Sequence, residues 1–336
     1  MARLDDLLDS YVPRVVGLLV QDYHSHRLVF MIDDTNRGWL FDLRDQKTWY
    51  GFKHPTTHFL HYGNQLCLDA SGHTVVHLMA YFSAKSSRAH LHTYSIQRGG
   101  LHVAVVSHDA GVGKCHNFLW VHSAEETGVL LDANHSFLRQ LNRSNQQFIL
   151  GPIAPNLPNT LPLNGQGKQV PLGIAAHMLA ATLTRNPDGD NILDCFLAHS
   201  TETFNLSRGT HHSLRRPERL NPAVAFDAME ERLYLIGGQV WVQARGSNRC
   251  GDGKWQGLTN VDRFDFRTRT WTSLCPLSIP RRGGAATFAE GFVFIFGGTD
   301  WHTRSIERYD PKADQWEILP TELPCDRVED CVALWR

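Results

Sequence analysis

The chain has 336 residues, 42% of them hydrophobic, with a formal net charge of −1 and a pI near 7.0. This balance provides no broad basic surface of the kind that holds nucleic acid through counterion release. No apolar run approaches the ~18 residues that span a bilayer, and Met1–Tyr11 carries three aspartates among its leucines, unlike a secretory signal. We therefore expect neither a DNA-binding nor a membrane-spanning protein.

The cysteine content predicts a reducing compartment. Seven cysteines, an odd number, are scattered along the chain without a C-x-x-C pair. In the absence of an export signal, such cysteines are reduced thiols, which favours the cytoplasm.

Short runs of β-branched and aromatic residues begin at Arg14 and continue to the C-terminus, preceded by an N-terminal segment, 1–12. The first part of the chain groups into four irregular sets of about four predicted strands each: 13–55, 59–109, 114–150 and 173–216. Between the third and fourth sets, Gly151–Gly173 is rich in proline and glycine and predicts a long loop. Nothing alternates strands with long amphipathic helices, which excludes a parallel α/β fold.

Two later units, 222–279 and 284–323, repeat one clear pattern. In each, an apolar strand runs into a glycine pair, Gly237-Gly238 or Gly297-Gly298. An aromatic residue then lies seven positions before a tryptophan, as in Phe264 to Trp271 and Tyr309 to Trp316. The units are 45 residues apart when aligned on the aromatics and 60 apart when aligned on the glycines. The difference predicts a 15-residue insertion after the second strand of the earlier unit.

A double glycine followed by a spaced aromatic and tryptophan resembles the kelch-repeat family, strongly over 223–320 and in degenerate form over 14–215. The resemblance implies an all-β propeller of about six four-stranded kelch-type blades. The marker positions, five aromatic residues and Leu131, recur about every 54 residues, and kelch units have ~50. We predict one propeller domain, 13–336, in which a final strand, 331–335, joins the N-terminal blade and closes the ring. A seventh blade hidden in 110–172 is the alternative count.

The patterned residues themselves are predicted to be structural. Glycine pairs allow the backbone to turn at the end of a tightly packed strand. The aromatic markers and tryptophans are large enough to fill the gap between neighbouring blades, where each buries ~150–250 Å². Function is expected instead in the loops around the motif.

Those loops carry the candidate binding residues. In kelch substrate receptors an arginine just before the first strand often faces the shared pocket, and Arg281-Arg282 resembles that arrangement, with Arg282 the better placed. Arginine pairs with acidic side chains or a terminal carboxylate, and tryptophan and arginine are enriched at binding hot spots. The competing interpretation is that these arginines are only solvated and that Trp301 packs on the next blade. The candidate set is Asn221, Gln239, Trp241, Arg281, Arg282, Asp300, Trp301, His302 and Arg327.

The expected function is that of a non-enzymatic protein-interaction module that binds an acidic peptide or partner loop. The resemblance further implies a substrate-recognition subunit of a ubiquitin ligase. No BTB or F-box unit is recognisable, so a partner or a removed segment would have to connect the chain to a cullin-type scaffold. An assembly scaffold without a deep pocket is a blander hypothesis.

An enzyme is the runner-up. Some kelch-like propellers process sugars, which makes a mutarotase-like, oxidase-like or sugar-binding propeller the alternative. No Ser/His/Asp or paired-carboxylate pattern stands out, and the 19 histidines lack the spacing of a zinc site. We therefore expect no catalytic residues, no metal and no cofactor.

Overall fold

The computed structural model describes most of the second half of the chain and the strands of the first half. The described residues are 28–33, 37–53, 61–68, 74–82, 87–97, 100–104, 118–123, 129–132, 137–144, 147–152, 178–243, 253–298, 303–326 and 328–334. Within these ranges every regular element is a β-strand, and no helix is long and apolar enough to cross a membrane.

The chain forms two compact units. The first comprises Met1–Val121, Glu126–Thr160 and Val328–Arg336, and the second comprises His122–Glu125 and Leu161–Arg327. The single domain expected over 13–336 stays a prediction.

Strands of the first unit form antiparallel meanders of four. The first meander has the order β26-β1-β2-β3, the second β4-β5-β6-β7, and β8 to β11 follow in sequence order. Their bounds are β1 Leu28–Asp33, β2 Arg37–Asp42, β3 Trp49–Lys53, β4 His61–Leu68, β5 Thr74–Phe82, β6 Ser87–Gln97, β7 Gly100–Ala104, β8 Phe118–Ser123, β9 Val129–Asp132, β10 Phe137–Ser144, β11 Gln147–Pro152 and β26 Val328–Leu334.

The C-terminal strand completes the N-terminal meander, as predicted. β26 pairs antiparallel with β1, and its register places Leu28 opposite Leu334 and Met31 opposite Cys331. All six residues of β1 are buried, so the pairing satisfies the backbone of an apolar strand that would otherwise be an open edge. The sequence interpretation put the first strand of this blade before Leu28, in residues that lie outside the described part of the chain.

The second unit contains three further meanders and a separate hairpin. The meanders have the orders β12-β13-β14-β15, β16-β17-β20-β21 and β22-β23-β24-β25, and the hairpin is β18-β19. The bounds are β12 Met178–Arg185, β13 Asn191–Leu197, β14 Ser200–Asn205, β15 Thr210–Arg215, β16 Ala223–Asp227, β17 Arg232–Ile236, β18 Gln239–Gln243, β19 Gly253–Gly257, β20 Val261–Asp265, β21 Thr270–Leu274, β22 Ala285–Ala289, β23 Phe292–Phe296, β24 Ser305–Asp310 and β25 Gln315–Glu322.

The predicted all-β fold class is therefore confirmed, because the described strands form several antiparallel four-stranded meanders. The count of six blades and the closure of a ring stay predictions. The predicted insertion is also present. It supplies β18 and β19, which pair with each other between the second and third strands of their blade.

Aromatic markers pack between consecutive meanders of the second unit, as predicted. Tyr309 is buried in one cluster with Tyr234 and Ile236 of the preceding blade. The indole Nε1 of Trp316 donates to the carbonyl of Cys275 at 2.9 Å, and Tyr309 donates its hydroxyl proton to Asp314 at 2.6 Å. The cluster and the Trp316 hydrogen bond join the last blade of the unit to the one before it, whereas the Tyr309–Asp314 bond lies within the last blade.

Glycine pairs adopt conformations that other residues avoid. Gly237 has a φ of +63° and Gly298 a φ of +85°. A Cβ on Gly237 would collide with the carbonyl oxygen of Arg281, and one on Gly298 would collide with the backbone of Gly284. Both glycines therefore serve a turn and a close backbone approach at once.

Candidate functional site

Loops at one end of the blade formed by β16, β17, β20 and β21 converge on the glycine pair that follows β17. Leu220 and Gln239 exchange backbone hydrogen bonds of 2.9 and 2.7 Å, and the amide of Gly238 donates to the Arg281 carbonyl at 2.6 Å. Gly283 donates to the carbonyl of Asn221 at 2.9 Å. The backbone thus joins the segments before β16, after β17 and before β22 into one surface.

Arg281, predicted to bind a partner, has its side chain in the interior. The side chains of Arg281 and of Glu307 on β24 are both 0% exposed, and Arg281 Nε lies 2.8 Å from Glu307 Oε1. Nη1 donates to the carbonyls of Gly297 at 2.5 Å and Ser305 at 3.2 Å, and Nη2 donates to Ser305 Oγ at 2.8 Å. Burial lowers the pKa of Arg281, while Glu307 opposes that shift. The geometry gives Arg281 a structural role beneath the loops.

Arg219 occupies the equivalent place one blade earlier. Each arginine stands four residues before the first strand of its blade, and Asp262 and Glu307 each stand two before the aromatic marker. Arg219 Nη2 bonds to Asp262 and Nη1 donates to the carbonyl of Leu235 at 3.1 Å. The sequence motif does not include Arg219, although alignment of the two units on their first strands pairs it with Arg281.

Three of the predicted residues come together at the surface above these buried arginines. Arg282 is partly buried, and its Nη1 donates to the side-chain oxygen of Gln239 at 3.3 Å. Its backbone amide bonds to the carbonyl of Gly298. Asn221 is exposed, has a φ of +49°, and accepts from Gly283 at 2.9 Å. The Arg282 guanidinium, the Gln239 side-chain amide and the exposed residue Asn221 therefore lie on one loop surface.

Trp241, also predicted, lies on the inserted hairpin that extends from this surface. It stands opposite Trp255 in the β18-β19 register, and the ring centroids are 5.2 Å apart in an edge-to-face arrangement. The two residues are 41% and 42% exposed. Since large aromatic side chains are usually mostly buried, the pair is an exposed apolar feature beside a polar cluster.

The remaining predicted residues, Asp300, Trp301, His302 and Arg327, lie outside the described part of the chain. Their roles stay predictions. The flanking residues are described: Gly298 contacts Arg282 through the backbone, and Arg304 pairs with Asp326 at 2.5 Å.

Chemistry at this surface is that of recognition through hydrogen bonds and ion pairs. Among the described residues, no three His, Cys, Asp or Glu side chains form a group that could hold a metal ion. The described donors that reach the surface are a guanidinium, two primary amides and indoles, which suit carboxylate and carbonyl acceptors.

Comparisons with known proteins agree with the pattern. A family model described as "Kelch motif" matches residues 280–321, the stretch from Pro280 through β25. Kelch-like protein 23 of Homo sapiens is 26% identical over 111 residues, which are 32% of this chain and 17% of that protein. Kelch repeat and BTB domain-containing protein 2 of Homo sapiens is 28% identical over 28% of this chain and 16% of that protein.

A plant relative has a higher identity. An F-box/kelch-repeat protein of Arabidopsis thaliana is 37% identical over 99 residues, 27% of this chain and 24% of the relative. The matched segments thus span less than a quarter of each of these relatives' own length. Among solved structures, one titled "Structure of YjhT" aligns over 86% of this chain and 96% of its own at 10% identity, with a TM-score of 0.48. Residues 280–321 thus match a kelch motif, and parts of the chain are similar to several kelch-repeat proteins.

Proposed function

We propose that the chain is a non-enzymatic protein-interaction module that binds an acidic segment of a partner on the surface of Asn221, Gln239 and Arg282. The observation that supports the proposal is that two adjacent arginines occupy different environments. Arg281 is buried and holds the loop backbone, whereas the guanidinium of Arg282 reaches the Gln239 amide at the surface. A guanidinium held on a rigid backbone recognises carboxylates bidentately at a small entropic cost.

We include Trp241 in the same proposed surface, because its strand begins at Gln239. Asp300, Trp301, His302 and Arg327 are included on their sequence positions alone. Exposed tryptophan beside arginine is the composition of a binding hot spot. The surface is assembled from loops of two consecutive blades, which is where propellers place their variable chemistry.

The proposed biological role is that of a substrate receptor in a ubiquitin ligase. Two relatives carry BTB or F-box in their printed names together with kelch repeats. We propose that this chain presents a substrate and reaches a cullin-type scaffold through an adaptor. A reducing, cytoplasmic location fits Cys195, Cys275 and Cys331, which are free thiols.

Affinity purification of the tagged chain under native conditions tests both levels of the proposal. The wild-type chain should recover a reproducible set of proteins that includes a cullin scaffold. Arg282→Ala should lose the substrate proteins and keep the scaffold, with an unchanged melting temperature. Arg267→Ala is the matched control, since Arg267 is an exposed arginine in the turn at the opposite end of the same blade.

The outcomes separate the parts of the proposal. Unchanged recovery by Arg282→Ala would place the binding surface elsewhere on the protein. Recovery of substrate proteins without any cullin across several lysates would retain the interaction module and remove the ligase role.

A further inference from the structure

The inserted hairpin has features that the acidic-ligand surface does not require. β18 and β19 form their own two-stranded sheet, separate from the blade into which they are inserted. An isolated two-stranded hairpin is at best marginally stable in water, and a third strand or a packed face is needed to stabilise it. This hairpin nevertheless displays two tryptophans and Val242, which is 38% exposed.

One face of the hairpin is a braced aromatic platform. Side chains alternate across a strand, so Trp241 and Trp255 share a face with Gln243. The ring of Trp241 lies over Gly253, where a Cβ would stand 2.8 Å from two ring atoms. The Nε1 of Trp241 donates to Gln243 at 3.4 Å. Trp241 is therefore held in place and supports Trp255, which stands on the outer strand.

Beyond its base, the outer edge of β19 has no strand partner among the described residues. At the base, the amide of Arg281 donates to the carbonyl of Leu258 at 3.0 Å, in an antiparallel bridge. A segment of this chain thus already lies where a third strand would begin. Further along, β18 is the one strand that pairs with β19 among the described residues, and residues 253–256 of β19 are exposed. The edge carries no proline and no bulge to block pairing.

Charge indicates what kind of strand fits this edge. The insertion, residues 242–256, contains two arginines and one lysine against one aspartate. Arg282 lies one residue beyond the bridge at the base of the hairpin. Two copies of the chain would bring like charges together, whereas a segment with acidic residues complements the insertion.

We propose that β19 is a docking edge that accepts an extended, alternating apolar and acidic segment of a partner protein as a third strand. Apolar residues of the segment stack on Trp255, and the intervening acidic residues lie on the face of Lys254. The main-chain hydrogen bonds supply affinity, and the alternating side chains supply specificity. The inference deepens the proposed function, on which it rests, by adding a second mode of contact beside Arg282.

A synthetic peptide of eight residues that alternates valine and glutamate, labelled with fluorescein, is the probe. Fluorescence anisotropy with the full chain should give saturable binding. Peptides with methylated backbone nitrogens on the valines alone or on the glutamates alone separate the mechanisms. In an added strand only alternate residues bond to the edge. One methylated peptide should bind at least about tenfold more weakly than the unmethylated peptide, while the affinity of the other should stay within about threefold of it.

Protein variants complete the test. Trp255→Ala should weaken the peptide at least about tenfold. Ile318→Ala should leave its affinity unchanged, since Ile318 is a 50% exposed apolar residue on β25, outside the hairpin. Equal melting temperatures of the variants and the wild type would show that the fold is intact.

Three results would overturn the inference: no saturable binding of the peptide, equal tolerance of both methylated peptides, or a concentration-dependent dimer in light scattering that Trp255→Ala abolishes. The last would show that a second copy occupies the edge. Failure here is distinct from failure of the proposed function. A partner that survives Trp255→Ala but is lost with Arg282→Ala would remove the strand docking and keep the loop surface.

Discussion

Replacing Arg281 by alanine should destabilise the protein far more than its place in a loop would indicate. The substitution leaves the carboxylate of Glu307, with a fully buried side chain, without its guanidinium. It also removes the donors to the carbonyls of Gly297 and Ser305. Removing one partner of a buried ion pair costs about 3–5 kcal/mol, because the remaining charge cannot regain its hydration. Glu307 keeps one hydrogen bond, from the amide of Ser278 at 3.0 Å, which does not replace the lost charge.

Arg219 provides a matched comparison in the neighbouring blade. Its side chain is 8% exposed and that of Asp262 is 24% exposed, so water can solvate the orphaned carboxylate. We expect Arg219→Ala to cost about 1–2 kcal/mol, between the values for buried and surface pairs. Arg281→Lys, which keeps the charge but loses the fork, should fall between wild type and Arg281→Ala.

Urea denaturation followed by tryptophan fluorescence measures these differences as shifts of the midpoint at constant slope. The reasoning would be refuted if Arg281→Ala cost less than about 1 kcal/mol, the range of an exposed ion pair. It would equally fail if Arg219→Ala proved the more damaging variant, since burial would then not determine the cost.

Two further predictions concern other features of the second unit. Gly237→Ala should destabilise the protein by more than the ~1–2 kcal/mol that a left-handed backbone costs another residue, because the new Cβ would collide with the Arg281 carbonyl. Gly189→Ala should cost only that backbone strain, because Gly189 has a φ of +84° and no atom lies within 4 Å of the added Cβ. Equal shifts of the melting temperature in the two variants would contradict this prediction. Burial raises the pKa of Asp194 above 3.8, and Arg269, 2.5 Å away, opposes the shift. The protonated Asp194 carboxyl therefore stabilises the folded protein. This contribution is fully present below pH 3.8 and is lost as the pH rises through the pKa of Asp194 in the folded state. In Arg269→Ala that pKa should rise further, so the deficit in melting temperature against wild type should be larger at pH 7 than at pH 4, and a deficit independent of pH would rule out the coupling.

Local sequence patterns predicted most of the fold. Double glycines indicate backbone turns, and the seven-residue spacing places an aromatic opposite a tryptophan on neighbouring strands of one blade. Both features depend on residues that are close in the chain. For the same reason the position and length of the insertion followed from aligning two repeats. Phe264, Trp271, Tyr309 and Trp316 lie in or against the apolar clusters where the pattern predicted them.

The candidate site was predictable only in part. Asn221, Gln239 and Arg282 were named because they flank the repeats, and the described loops bring them to one surface. Arg219 was missed because an arginine before a strand has no local partner in the sequence. Its partner Asp262 lies 43 residues later, and only the pairing of β17 with β20 brings the two together.

The sequence by itself determined the strand content, the repeat and the place of the insertion, because each depends on contacts between residues near in the chain. The family resemblance favoured Arg282 over Arg281, but both stayed candidates for binding, because the two residues are adjacent and chemically identical. The tertiary structure decided that difference: β24 places the Glu307 carboxylate beneath one guanidinium, whereas the loop after β17 places the Gln239 amide beside the other. The cost of leaving Glu307 as an unpaired buried charge keeps Arg281 inside, and its neighbour Arg282 stays partly exposed.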